Sequence, residues 1–326
     1  MAVADHLSGH DVDVVDTGLD GGAIPGKPGQ KDERGGSIIE TVHQDTSDDA
    51  DVLIAHSGVP DPWISHNQAP VIWVLHGRPK ACFSPEQFGR GHSYTLMANI
   101  AKWPRVKAMT SFWPDHTPFW KPIIPEEKLR CMPAPPVDNK RFSPDGPLFD
   151  FETIKDKFNV VICESWREDV DIYELAHGAI EMAKETNGEV KFTFFSMEGK
   201  ATCWNFLKDE LKRLDALGWI WDRRTNMQEV YRAADLILSP QKITTRTICE
   251  PLCCGTPVLA DDRCKYATYG CVPDEPISVR DALMQAKKEI TENKEAVKQK
   301  ALKTAEAFSL SLYSDYMNEV YAEITK

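Results

Sequence analysis

Glu250-Pro-Leu-Cys-Cys-Gly-Thr-Pro-Val-Leu-Ala260 is the stretch that decides how this chain is read. A short helix is expected to stop at Gly255, because a helix ends most cheaply on a residue free to take positive φ. Thr256-Pro257 then turns the chain into an apolar strand over residues 258–260. Just upstream, Ala234-Asp-Leu-Ile-Leu-Ser-Pro240 reads as another buried strand. Strand, loop, acid-bearing helix, glycine, strand is half a turn of a doubly wound α/β domain. Ligands of such domains sit at the carboxyl ends of the strands, near helix N-termini. The acid in this half-turn is Glu250.

Outward from there the alternation repeats. Residues 11–16 alternate in polarity, and residues 51–56 and 70–76 are apolar runs of strand length. Residues 17–37, rich in glycine and charge, read as a loop, 93–102 as a helix and 106–111 as a further strand. Pro133, Pro135, Pro136, Pro144 and Pro147 mark a linker. Beyond it, strands are expected at 159–163, 191–196 and 218–221, with helices at 171–186, at 203–217 and from Met227. From 278 to 326 the chain reads as helix almost throughout. Strands alternating with helices argue for parallel sheets.

Residues 250–260 resemble the donor-site signature of retaining GT-B glycosyltransferases of the glycogen-synthase-like, family-four type. In that signature two glutamates separated by seven residues precede Gly-Thr-Pro-Val. Residues 227–235 are similar to the helix before the signature. Glu126-Glu-Lys-Leu-Arg-Cys-Met-Pro133 and Val137-Asp-Asn-Lys-Arg-Phe-Ser-Pro144 resemble the family's domain crossover. The resemblance runs in order over most of the chain. It implies an α/β protein of two Rossmann-like domains facing across a cleft. Residues 1–145 would form the acceptor domain and 146–308 the nucleotide-sugar donor domain. The final helix, 309–326, would return to the first domain. The implied activity is transfer of a sugar from a UDP- or GDP-linked donor to an unknown acceptor, with retention. The implied partner is the nucleotide sugar; no further cofactor and no metal ion are expected.

The resemblance also assigns roles. Glu250 would take the donor ribose, since a carboxylate offers two oxygens to a vicinal diol; its other reading is an acid favoured by the helix dipole, with Thr247 or Thr245 as the cap. The signature's first glutamate falls on Lys242, and its two cations fall on Glu164 and Asp169. Arg167, Arg246 and Lys242 would replace that charge against the leaving diphosphate, with Thr247 beside them; the bland alternative is a solvated charged loop. His76 ends an apolar run and would line the cleft near the transferred sugar as the catalytic candidate, or else be a satisfied core histidine. His56 is a weaker cleft candidate, and the adjacent Asp115-His116 pair is poorly placed for acid–base work.

Composition bounds the rest. A net charge of −12 opposes general nucleic-acid binding. No apolar run reaches the length of a membrane span, and nothing resembles a secretion signal, so a cytoplasmic location is expected. The scattered cysteines read as free thiols; Cys249 and Cys253 share a helix face and are expected in the core. Three other functions stay open: a GT-B-like protein with impaired transferase activity serving as a binding subunit, a transferase acting on nucleic acid bases, and an epimerase or phosphorylase. Finally, residues 2–15 look like the family's first helix running into its second strand. Either the gene product starts upstream, or the strands at 12–16 and 52–56 close up and pair.

Overall fold

The computed structural model describes residues 14–15, 41–42, 50–56, 68–75, 94–111, 116–132, 134–151, 154, 156–163, 172–195, 203–221 and 226–326. The chain divides into two compact units, residues 1–136 with 310–326, and residues 137–309.

The first unit holds a four-stranded parallel sheet in the order β3 (Leu53–His56), β4 (Val71–Leu75), β5 (Val106–Ser111), β6 (Leu129–Cys131). β4 is buried on both faces, which is why its sequence is apolar throughout rather than alternating. Its side chains still sort by the two-residue period of a strand. Val71, Trp73 and Leu75 pack with Met97 and Ile100 of helix Tyr94–Ala101 and with Trp120. Ile72 and Val74 face the other way, onto Tyr313, Met317 and Val320 of helix Leu310–Ile324. The last helix therefore does return to cover the first sheet, as expected. Arg130 on β6 also pairs with Glu323 of that helix.

A separate pair of short parallel strands, β1 (Val14–Val15) and β2 (Thr41–Val42), belongs to the same unit. Among the described residues β1 pairs with β2, not with β3, so the expected closing-up of the strands at 12–16 and 52–56 is not seen. β2 falls in a stretch where no strand was expected.

The second unit is a six-stranded parallel sheet ordered β12 (Tyr269–Cys271), β11 (Val258–Asp261), β10 (Leu236–Leu238), β7 (Phe158–Cys163), β8 (Val190–Phe195), β9 (Leu217–Trp221). From β7 the chain steps outward through β8 to β9, then returns to β10 and steps the other way. The strand order thus reverses between β7 and β10, and a doubly wound sheet opens its binding crevice at the carboxyl ends of the strands flanking that point. Helices Ile172–Thr186 and Pro276–Ala305 supply Leu175, Ala179, Val279 and Leu283 to the core with Phe192 and Leu236. The long helix kinks at Asn293, whose φ of −143° and ψ of 47° leave the helical region.

Arg232, at the end of helix Met227–Ala233, ties down the segment entering this unit. Its guanidinium donates to the carbonyls of Ser143 (2.8 Å), Pro147 (2.9 Å) and Arg141 (3.2 Å). Gly146 lies against it at φ +129°, where an added Cβ would come within 2.8 Å of Nη1. Arg232→Ala strands three carbonyls together, so a loss of about 2–3 kcal/mol in denaturant unfolding is expected. A loss below about 0.5 kcal/mol would show that the staple is ornamental.

Candidate functional site

Parallel pairing puts the carboxyl ends of all six strands of the second unit on one edge. Two connections leave that edge at the reversal point, one after β7 and one after β10. The second is residues 239–245, leading into helix Arg246–Cys253. Gly255 ends this helix at φ +80°, and Thr256-Pro257 carries the chain into β11, as the sequence predicts. The Thr256 hydroxyl donates to the Tyr231 carbonyl at 2.6 Å, fixing the helix end to its neighbour.

Glu250 is the fifth residue of this helix and is 6% exposed. Burial pushes its carboxyl above the ordinary glutamate range. Arg246, Tyr231 and Arg141 act against that shift through charge and hydrogen bonding. Arg246 Nε donates to Glu250 Oε1 at 2.6 Å across one helical turn, while the arginine side chain stays 75% exposed. One end of this ion pair is therefore in the core and the other is in solvent.

The rest of the loop is hydroxyl-rich. Thr245 occupies the N-cap position but makes no side-chain cap bond, and Thr247 already lies inside the helix. The two hydroxyls bond each other at 2.8 Å, so the expected cap is corrected to a side-chain pair. Thr247 also reaches Ser239 at 3.5 Å, and Ser239 accepts the Gln241 amide at 3.3 Å. Lys242 is half-buried on the same loop. At the end of β11, Asp261 is fully buried and takes both Nε and Nη2 of Arg263.

Solved structures share this architecture. The chain superposes on Anabaena HepE in complex with UDP and glucose with a TM-score of 0.66 and 15% identity, covering 86% of this chain and 80% of that one. The catalytic domain of starch synthase IV from Arabidopsis thaliana, bound to ADP and acarbose, gives 0.60 at 12% identity, covering 84% and 73%. The pneumococcal O-GlcNAc transferase GtfA with UDP and GlcNAc gives 0.56 at 13%, covering 78% and 53%. The chain has the GT-B fold. By sequence, no protein-family model and no curated protein matches it.

Within this GT-B fold the sequence-predicted residues separate into two groups. Glu250, Arg246, Thr247 and Lys242 come together on the connection after β10 and the helix it opens. Arg167, with Glu164 and Asp169, belongs to the connection after β7 and lies outside the described residues, as do His76 and Asp115. For His56 only the backbone, at the end of β3, is described. His116 is buried beside helix Thr117–Trp120.

Sequence reasoning missed Tyr231, Arg141 and the Asp261–Arg263 pair. Tyr231 and Arg141 reach Glu250 from distant positions, and no local spacing announces them. Asp261, closing an apolar strand two residues before an arginine, carries a local signal of its pairing. The cysteines pack as expected: Cys249, Cys253 and Cys254 are buried, and burial pushes the Cys253 and Cys254 thiols up to about 12. Among the described residues, no group of three or more His, Cys, Asp or Glu is placed to hold a metal ion. No described helix is long and apolar enough to cross a membrane.

Proposed function

We propose that the protein is a glycosyltransferase that moves a sugar from a nucleotide-sugar donor to an acceptor. The observation that carries this reading is the buried, charge-paired Glu250 on the helix that opens at the strand-order reversal of a GT-B sheet. A nucleoside diphosphate laid there would give its ribose diol to Glu250. Its phosphates would meet the N-terminal end of helix Arg246–Cys253, the positive end of its dipole. Arg246, Lys242 and Arg167 would supply charge in place of the family's two cations, with Thr247 adding a hydroxyl. UDP and GDP are the expected leaving groups. Supporting this, the superposed proteins named above are bound to UDP or ADP.

Retention and the part of His76 belong to the same reading. In a retaining transfer without a protein nucleophile, the departing phosphate oxygen takes the acceptor proton. Catalysis then rests on positioning and on stabilising the leaving diphosphate. His76, at the end of the β4 run, would contact the transferred sugar. No metal ion or other cofactor enters this scheme, and a cytoplasmic location suits a donor made in that compartment.

The test is release of nucleoside diphosphate from a panel of UDP- and GDP-sugars, with and without glycan acceptors. Donor-dependent release is expected. Tight donor binding with no release under any acceptor condition would move the protein to the binding-subunit reading.

The raised carboxyl of Glu250 adds a pH signature. The folded state holds this proton more tightly than the unfolded chain does. Stability from the group is therefore highest below the unfolded glutamate value and falls as pH rises through the folded one. The stability of wild type minus that of Glu250→Gln should shrink with rising pH across that window. A difference that grows with pH would contradict the burial argument. Diphosphate affinity should run the opposite way, strengthening as the carboxyl ionises.

A further inference from the structure

We infer that Arg246 makes this site select for ligands that carry a diphosphate, by exchanging its partner from the Glu250 carboxylate to the phosphates when such a ligand binds. The inference rests on the donor-site reading above and extends it. The carboxylate that would accept the ribose diol is already engaged, at 2.6 Å, by a guanidinium on the same helix. A carboxylate oxygen can accept two bonds, but a diol spanning both oxygens has to share Oε1 with that guanidinium, so the two compete for it.

A bare nucleoside has nothing to offer the displaced cation. A nucleoside diphosphate offers charge within reach of the same side chain, whose 75% exposure leaves it free to swing. Because the arginine end is in solvent, releasing it costs little desolvation. Glu250 does not become an isolated buried charge when Arg246 leaves, because the Arg141 charge and the Tyr231 hydroxyl still act on it. The pair therefore behaves as an exchange device. The part of the ligand far from the ribose decides whether the ribose contact forms fully.

The test uses calorimetry at pH 8 with two matched pairs, uridine and UDP, and guanosine and GDP. Wild type, Arg246→Met, Arg246→Gln, Arg246→Lys and Glu250→Ala are compared, with thermal unfolding as the control for folding. In wild type the diphosphate should bind far more tightly than its nucleoside. In Arg246→Met the nucleoside should bind several-fold tighter, because its carboxylate is unmasked. The diphosphate should bind about tenfold weaker, having lost a charged partner. The ratio of the two affinities should thus collapse by well over tenfold, while Arg246→Lys keeps most of it.

If Arg246→Met weakens nucleoside and diphosphate by the same factor, or leaves both alone, the exchange is wrong while the donor-site reading survives. If Arg246→Met does not fold, Arg246→Gln decides on the same ratio: a ratio that collapses because the nucleoside gains affinity while the diphosphate loses it supports the exchange, and a ratio unchanged from wild type rejects it. If Glu250→Ala binds both ligands as wild type does, or if neither pair binds wild type, the donor-site reading fails and the exchange falls with it.

Discussion

Glu250→Ala is expected to weaken nucleoside diphosphate binding by about 1.5–3 kcal/mol, roughly 10- to 150-fold, the range for hydrogen bonds to a charged group. The loss should be one of affinity and not of folding. Removing one partner of a buried ion pair is costly when the other is left as an uncompensated buried charge. Here the surviving partner is Arg246, which is largely in solvent and needs no compensation. The truncation also removes a carboxylate whose burial was itself unfavourable. A thermal midpoint within a few degrees of wild type, together with the affinity loss in calorimetry, is the expected combination. Unchanged affinity would remove Glu250 from the site.

Met317→Asp is expected to destabilise the first unit by about 4 kcal/mol or more. Met317 is 1% exposed in the hydrophobic cluster that holds Ile72, Val74 and Ala108, where a carboxylate would be desolvated at high cost. Leu312→Asp, on the same helix but 46% exposed, should change stability by less than about 0.5 kcal/mol. The contrast matters because the two substitutions are alike in chemistry and in helix propensity. Equal effects at both positions, read by denaturant unfolding, would mean that the last helix does not cover the sheet as described.

Much of this architecture was legible because burial writes itself into sequence. β4 and β10 are apolar at every position, and only strands covered on both faces carry that signal. Gly255 could be read because helix termination at positive φ leaves few other choices. The missed strands are marginal ones. β6 and β12 are sheet-edge strands of three residues; β6 has an arginine at its centre and β12 a glycine, so neither shows alternation or a run. β2, just beyond the stretch read as loop, is two residues long, too short to show a period.

The site was legible where it is local. Arg246, Thr247 and Glu250 follow one another along a single turn-and-helix, and Lys242 is on the loop before them. What sequence could not give is the partnership. That Arg246 bonds Glu250 follows from spacing only as one option among several for an exposed arginine. That Tyr231 and Arg141 lean on the same carboxylate depends on tertiary packing of the preceding helix and the entering segment. The Thr245 hydroxyl bonding Thr247 without capping the helix is likewise a choice between near-equal hydrogen bonds that local sequence does not decide.

The central claim is that a nucleoside diphosphate binds on the connection after β10. Amide hydrogen exchange with and without saturating UDP or GDP tests it most directly. The account predicts slowed exchange across residues 239–250 with the nucleotide that calorimetry shows to bind. Binding accompanied by unchanged exchange across that segment, with protection elsewhere in the chain, would contradict it.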